Sequence, residues 1–185
     1  MRVIAGLYKR RQLKAVPGAG TRPTTDKNKE SLFNIIGPYF DGDTVLDLFG
    51  GSGALGIEAM SRGAGKLYVF DKDFKAFKTI RENIQSLGIE DARVMKMDYR
   101  KALAYLDEEE VGLDLVFLDP PYGMAVNHDI VERLKANGRL NEGSVIVVED
   151  HVESAETFDD LMDVTRDVTY GITRLQILTY KGDTQ

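Results

Sequence analysis

The sequence predicts an α/β fold: a doubly wound, mostly parallel sheet of seven strands with an antiparallel hairpin at its C-terminal edge. Three observations predict it. From residue 43 onward, short unbroken apolar runs alternate with segments of helical period, the pattern of parallel strands covered on both faces. A glycine-rich turn, Gly51-Ser52-Gly53-Ala54-Leu55-Gly56, joins the first of these runs to the helical segment after it. Near the end of the chain, two strand-like segments follow one another with little more than Tyr170-Gly171 between them.

The elements follow in order. Arg2–Ala5 and Gln12–Val16 flank a basic turn and are expected to pair as a small N-terminal β-hairpin extension. Pro17, Gly18, Gly20 and Pro23 then form a linker, so residues 1–23 read as an appendage to a domain spanning 24–185. Thr24, Thr25 and Asp26 supply capping oxygens for a helix carrying Leu32, Phe33, Ile35 and Ile36. Thr44–Phe49 is the first strand of the sheet, and the Ala54–Arg62 helix after it ends at Gly63. Lys66–Phe70 is the second strand. Asp73 caps the next helix, where Phe77, Ile80, Ile84 and Leu87 recur at spacings of three and four, and Gly88 ends it. Ala92–Met97 is the third strand, and Asp98 can cap a helix over Tyr99–Leu106. Leu113–Leu118 and Ser144–Val148 are the fourth and fifth strands, with a helix starting near Asn127-His128 between them. Repeated strand–helix–strand units imply right-handed crossovers. Val164–Thr169 and Ile172–Tyr180 form the closing hairpin.

Composition narrows the function. The 185 residues include no cysteine, which excludes disulfides, Cys-ligated metal sites and a cysteine nucleophile. His128 and His151 are too far apart in sequence for a helical metal pair, so no metal is expected. No apolar run approaches the roughly 20 residues of a membrane span, and the N-terminus has no charged-then-apolar leader layout. The expectation is a soluble, cytoplasmic monomer. The net charge of −6 conceals two unlike parts. Residues 1–30 hold eight Lys and Arg against two acids, a local +6, so the remaining 155 residues carry −12. A basic arm on an acidic body is either a solvated hairpin or a polyanion contact, with Arg10 and Arg11 at its turn.

The glycine-rich turn fits G-x-G-x-x-G, and Asp71 ends the next strand about 20 residues on. Alone, that pair suggests a dinucleotide-binding fold. Asp47, four positions before Gly51, argues for a different ligand. A carboxylate facing a pyrophosphate across a narrow turn is unfavourable, whereas the cationic sulfonium and amino group of S-adenosylmethionine suit it. Gly51 and Gly53 let the backbone approach the ligand, with Phe49 and Ser52 in the same turn. The Asp71 carboxylate, beside Lys72, can accept both ribose hydroxyls. Asp98, followed by Tyr99, can accept from an adenine amine. In open α/β sheets these strand ends line the binding crevice. A nicotinamide-dependent oxidoreductase is the alternative that NAD binding would reveal.

The fourth strand runs into Asp119-Pro120-Pro121-Tyr122. Consecutive prolines donate no ladder hydrogen bonds, so the strand stops there and Asp119 and the Pro120 carbonyl remain as acceptors. With the Tyr122 ring beside them, they describe a pocket for a planar heterocycle bearing an exocyclic amine.

Asp119-Pro120-Pro121-Tyr122 is similar to the [Asn/Asp]-Pro-Pro-aromatic motif of class I methyltransferases that modify exocyclic amines of adenine or guanine. The chain more specifically resembles the RsmD family of small-subunit (16S) ribosomal RNA guanine-N2 methyltransferases along nearly its whole length. The matching stretches are Arg2-Val3-Ile4-Ala5-Gly6, Thr21-Arg22-Pro23-Thr24-Thr25-Asp26, the segment from Asp47 to Gly63, and the Asp-Pro-Pro-Tyr motif, where many members carry Phe in place of Tyr122. The resemblance implies a Rossmann-like class I methyltransferase fold. It also implies cofactor contacts from Asp47, Gly51, Gly53, Asp71 and Asp98, and a target guanine held by Asp119 through Tyr122. Arg22 and Thr24 would close over cofactor or RNA, and the basic hairpin, with Arg10 and Arg11, would meet the phosphates of ribosomal RNA or a small-subunit particle. Adenine-N6 methylation of DNA or RNA shares the motif chemistry, and a non-catalytic RNA-binding or assembly protein could retain the fold. His128 and His151 read as surface residues, and Glu58 and Glu149 carry no assigned role.

Overall fold

The computed structural model describes residues 1–18, 20 and 24–183. Seven strands form one mixed sheet in the order β3-β2-β1-β4-β5-β7-β6. They are β1 (Thr44–Asp47), β2 (Lys66–Asp71), β3 (Ala92–Lys96), β4 (Leu113–Leu118), β5 (Leu140–His151), β6 (Asp163–Tyr170) and β7 (Thr173–Thr179). The helices are α1 (Asp26–Ile36), α2 (Ala54–Ser61), α3 (Phe74–Leu87), α4 (Tyr99–Glu108) and α5 (Asn127–Ala136). The α/β class, the doubly wound order and the closing antiparallel hairpin are those expected from the sequence. The chain resolves into two compact units, residues 1–99 and 100–185.

In the first unit, β1 pairs in parallel with β2 and β2 with β3, with Asp47 opposite Val69 and Asp71 opposite Lys96. Leu46, Leu67, Val69 and Phe70 are buried in these strands, against Ile57 of α2 and Ile80 and Ile84 of α3. α3 carries the two end signals legible in its sequence. The Asp73 side chain accepts from the Ala76 amide at 3.2 Å, and Gly88 turns left-handed at the C-terminus with φ 69°. Thr25 is the capping residue of α1, accepting from the Asn28 amide.

The N-terminal hairpin forms, but its strands are shorter than expected. Arg2 and Gln12 make a single antiparallel bridge, supported by backbone bonds between Val3 and Arg11 and between Leu13 and Met1. Pairing goes no further because helix side chains take the neighbouring backbone groups. The Ile4 and Ala5 amides donate to Glu58, and Lys14 exchanges two hydrogen bonds with the Asn83 side chain. Gly6 shows how closely the arm lies on α2. Its φ is +84°, and a Cβ there would stand 1.8 Å from the Ser61 carbonyl oxygen, so no other residue fits without moving the chain.

In the second unit, β4 pairs in parallel with β5, while β5–β7 and β7–β6 are antiparallel. Leu115 to Leu118, Ile146 to Val148 and Ile177 and Leu178 form its buried strand core, with Ile130, Val131 and Leu134 from α5. β5 begins at Leu140 rather than Ser144. The Asn141-Glu142-Gly143 stretch is exposed, so the apolar pattern that marks a buried strand is missing there, and the pairing with β4 shifts register across it, from Leu113–Leu140 to Leu115–Val145.

Candidate active site

The first unit gathers the residues expected to hold a cofactor. β1 delivers Asp47 to its carboxyl end, fully buried, where Oδ2 accepts from the Gly56 amide in the first turn of α2 at 3.2 Å. Burial pushes the Asp47 carboxyl up to about 7, opposed by the Gly56 hydrogen bond and reinforced by the negative charge of Asp71. A dry carboxylate of this kind gains by meeting a cation.

The turn between Asp47 and α2 is shaped by its glycines. Gly51 and Gly53 have φ of 59° and 82°, left-handed values that disfavour any side chain. A Cβ on Gly50 would approach Val69 Cγ2 at 2.6 Å, so the turn lies tightly on β2. Asp71, at the end of β2, ties the turn down from the other side: Oδ2 accepts from the Gly51 amide and Oδ1 from the Asp73 amide, each at 2.9 Å. Each oxygen keeps a further lone pair for a hydroxyl donor. Phe49 and Tyr99 bring their rings to 5.7 Å between centroids. Asp98 is half-buried beside Tyr99, two residues past the end of β3, and Lys72 is exposed next to Asp71. Ser52 contributes through its backbone, its carbonyl accepting from Asn83 Nδ2 at 2.9 Å.

The donor set therefore fits S-adenosylmethionine. It combines a buried acid, a second acid anchored to the glycine turn, and an aromatic pair beside a third. Asn83 is a contributor that sequence reasoning missed. Fully buried in α3, it holds both the glycine turn through Ser52 and the arm through Lys14. An amide on the otherwise apolar face of a helix was the available signal.

On the same unit, Lys9, Arg10, Arg11 and Lys14 are exposed around the hairpin turn. Arg10 has a left-handed φ of 71°, and Arg11 Nη2 donates to the Ser86 carbonyl at the end of α3. Thr24 is half-buried just before the α1 cap. Arg22 lies outside the described residues.

The second unit carries the acceptor motif. β4 is buried from Leu115 to Leu118, and the next residue, Asp119, is exposed. Pro120 is buried, Pro121 exposed, and the Tyr122 ring is 54% exposed, leaving it available as a stacking surface. Gly123, at φ 85°, turns the chain away directly afterwards.

His151, still part-exposed as its sequence reading expects, also meets this group. Its ring meets Tyr122 edge-on, 5.3 Å between centroids at 76°. Its Nδ1 accepts from the Glu153 amide at 3.2 Å. Strand register explains the meeting: Leu118 is opposite Val148, so the fourth residue beyond one and the third beyond the other emerge side by side. Glu149, on the same strand, has its carboxyl pushed up by burial. His128 lies away from this chemistry, with Nε2 on the Asp160 carboxylate at 2.9 Å and its ring stacked on Phe158.

The family model described as "Conserved hypothetical protein 95" matches residues 1–179. The Bacillus subtilis protein YlbH, named provisionally as an rRNA methyltransferase, is 46% identical over 185 residues, covering 98% of this chain and all of its own. Ribosomal RNA small subunit methyltransferase D of Escherichia coli is 34% identical over 154 residues, 83% of this chain and 76% of that protein. Among solved structures, yhhF of Escherichia coli, provisionally named a methyltransferase, superimposes with a TM-score of 0.84 at 30% identity, covering 99% of both chains.

Proposed function

The chain belongs to the family of ribosomal RNA small subunit methyltransferase D, and from that premise we propose that it methylates the exocyclic N2 amine of a guanine in 16S ribosomal RNA, with S-adenosylmethionine as donor. The observation that carries the reading is the placement of Asp119-Pro120-Pro121-Tyr122 at the carboxyl end of β4, with Asp119 and the Tyr122 ring both exposed.

Guanine N2 is a poor nucleophile because its lone pair is delocalised into the ring. The Asp119 carboxylate and the Pro120 carbonyl would accept hydrogen bonds from N2–H, localise that lone pair, and stabilise the positive charge that grows on nitrogen during transfer. Asp119 would also accept the released proton. Tyr122 would stack on the base, which has to leave its helix or loop to be reached. The bound cofactor supplies an electrophilic methyl group on a sulfonium. Asp47 would hold its cationic end, Asp71 its ribose and Asp98 its adenine, with Phe49, Gly51, Ser52, Gly53, Lys72 and Tyr99 around them. Arg10, Arg11, Arg22 and Thr24 would contact RNA. The enzyme acts as a cytoplasmic monomer on naked ribosomal RNA or the small-subunit particle. Among the described residues no helix is long and apolar enough to cross a membrane.

The test is methyl transfer from labelled S-adenosylmethionine to three substrates: naked 16S RNA, small-subunit particles lacking the modification, and DNA. The expected outcome is label in N2-methylguanosine from one of the RNA substrates. Label in N6-methyladenine, or none in any substrate, would overturn the reading.

A further inference from the structure

The outer face of α3 presents aromatic rings among cations, and none of the roles assigned above uses it. Phe74, the first residue of the helix, is 61% exposed. One turn on, Phe77 is half-buried, with the Arg81 guanidinium 5.5 Å from its ring centroid. Phe74, Phe77, Lys78, Arg81, Glu82 and Gln85 line an open depression of about 270 Å³. Lys72, Lys75, Lys78 and Arg81 are all exposed along this segment. The two acids between 72 and 85 are already engaged: Asp73 caps the helix, and Glu82 Oε2 pairs with Lys14 Nζ at 3.2 Å. The basic arm is fastened to the same helix, through Lys14 to Asn83 and through Arg11 to Ser86. The arm and α3 thus form one basic surface on a chain whose net charge is −6.

We propose that this face of α3 is a stacking platform for unpaired nucleotides of an RNA strand. Phe74 takes the face of a base, the Phe77–Arg81 pair borders it, and Lys75, Lys78 and Arg81 take the phosphates on either side. The partner class rests on the proposed function, and the charge pattern argues for it independently. Protein interfaces are depleted in Lys and charged residues at their cores, whereas aromatic rings set among flexible cations are the common form of a single-strand groove. Because every base has a π-face, such a platform is sequence-tolerant. It would hold RNA flanking the target rather than select the target itself.

The chain contains no tryptophan, so Phe74→Trp provides a single fluorescent reporter at the exposed ring position. Titration with a 12-nucleotide oligo(A) RNA should quench it. By anisotropy of labelled oligo(A), Phe74→Ala should bind about 5- to 150-fold more weakly, the equivalent of roughly 1–3 kcal/mol of lost stacking, and Phe74→Tyr should restore binding. Oligo(A) affinity unchanged in Phe74→Ala would overturn the platform, as would a Phe74→Trp signal that responds to small-subunit ribosomal proteins and not to RNA. Methylation of 16S RNA by the unmodified enzyme is measured alongside. Methylation with oligo(A) binding indifferent to Phe74 removes the platform alone. Quenching and Phe74-dependent binding without methylation uphold the platform and remove the methyltransferase reading.

Discussion

Lys29 Nζ and Glu58 Oε2 stand 3.5 Å apart with both side chains almost wholly buried. Around that pair, Glu58 also accepts from the Arg62 guanidinium at 2.9 Å and from the Ile4 and Ala5 amides, while Lys29 Nζ donates to the Arg2 carbonyl at 2.6 Å. One carboxylate therefore joins α1, α2 and the N-terminal arm. Burial pulls the Lys29 ammonium down from its ordinary value, and the charge of Glu58 acts against that pull. Glu58 is an anchor for the arm, with every contact explained by the fold.

Glu58→Ala leaves two buried cations without their counter-charge and two arm amides without an acceptor. Breaking one side of a buried ion pair typically costs about 3–5 kcal/mol. Urea unfolding should show a loss of that size. Limited trypsin digestion should cut the variant at the Lys9–Arg11 turn faster than elsewhere, because the arm is released before the rest of the unit unfolds. Glu58→Ala with wild-type stability and a specific loss of S-adenosylmethionine affinity would instead make it a ligand.

Asp47 predicts a conflict between stability and binding. Burial holds its folded carboxyl at about 7 against the ordinary 3.8, so the folded chain holds a proton that the unfolded chain has released across that interval. Stability must then fall as pH rises from about 4 to 7. Asp47→Asn keeps an acceptor for Gly56 and removes the titration. Its stability advantage over the wild type should grow by about 2–3 kcal/mol between pH 5 and pH 8 in urea melts, given 1.36 kcal/mol per pH unit. The same variant should lose roughly 10- to 100-fold in S-adenosylmethionine affinity by calorimetry, as expected for one charge-assisted hydrogen bond.

What was legible in the sequence depended on whether a residue's role is local. The end signals of α3, Asp73 and Gly88, act within a few residues and are visible in the string. The position of Asp71 at the end of β2 was nearly as readable, because apolar runs mark where strands stop, whereas β1 stops at Asp47, two residues before the Phe49 to which its apolar run extends. The short pairing of the N-terminal hairpin was not, since Glu58 and Asn83, more than 50 residues away, take the backbone groups that longer strands would use. The same holds for Glu58 itself. An acid inside an apolar helix reads as an oddity until the arm's amides are seen to converge on it. The upstream extension of β5 was hidden because Asn141-Glu142-Gly143 is exposed.

The contact of His151 with Tyr122 was hidden for a related reason: the parallel register of β4 with β5 brings the two rings together. An edge-to-face aromatic pair is worth about 0.5–1.5 kcal/mol, here spent on the angle at which a half-exposed ring is presented. On the proposed function, His151 would act as a positioning residue for Tyr122. His151→Ala should raise the KM for RNA about 2- to 10-fold while kcat changes less, and His151→Phe, which restores the edge contact without a titratable group, should recover most of the loss. If the imidazole were instead a general base, kcat would collapse in both variants alike. Steady-state methyl transfer to 16S RNA by the three proteins separates the two, because a base must exchange a proton and a wedge needs only its shape.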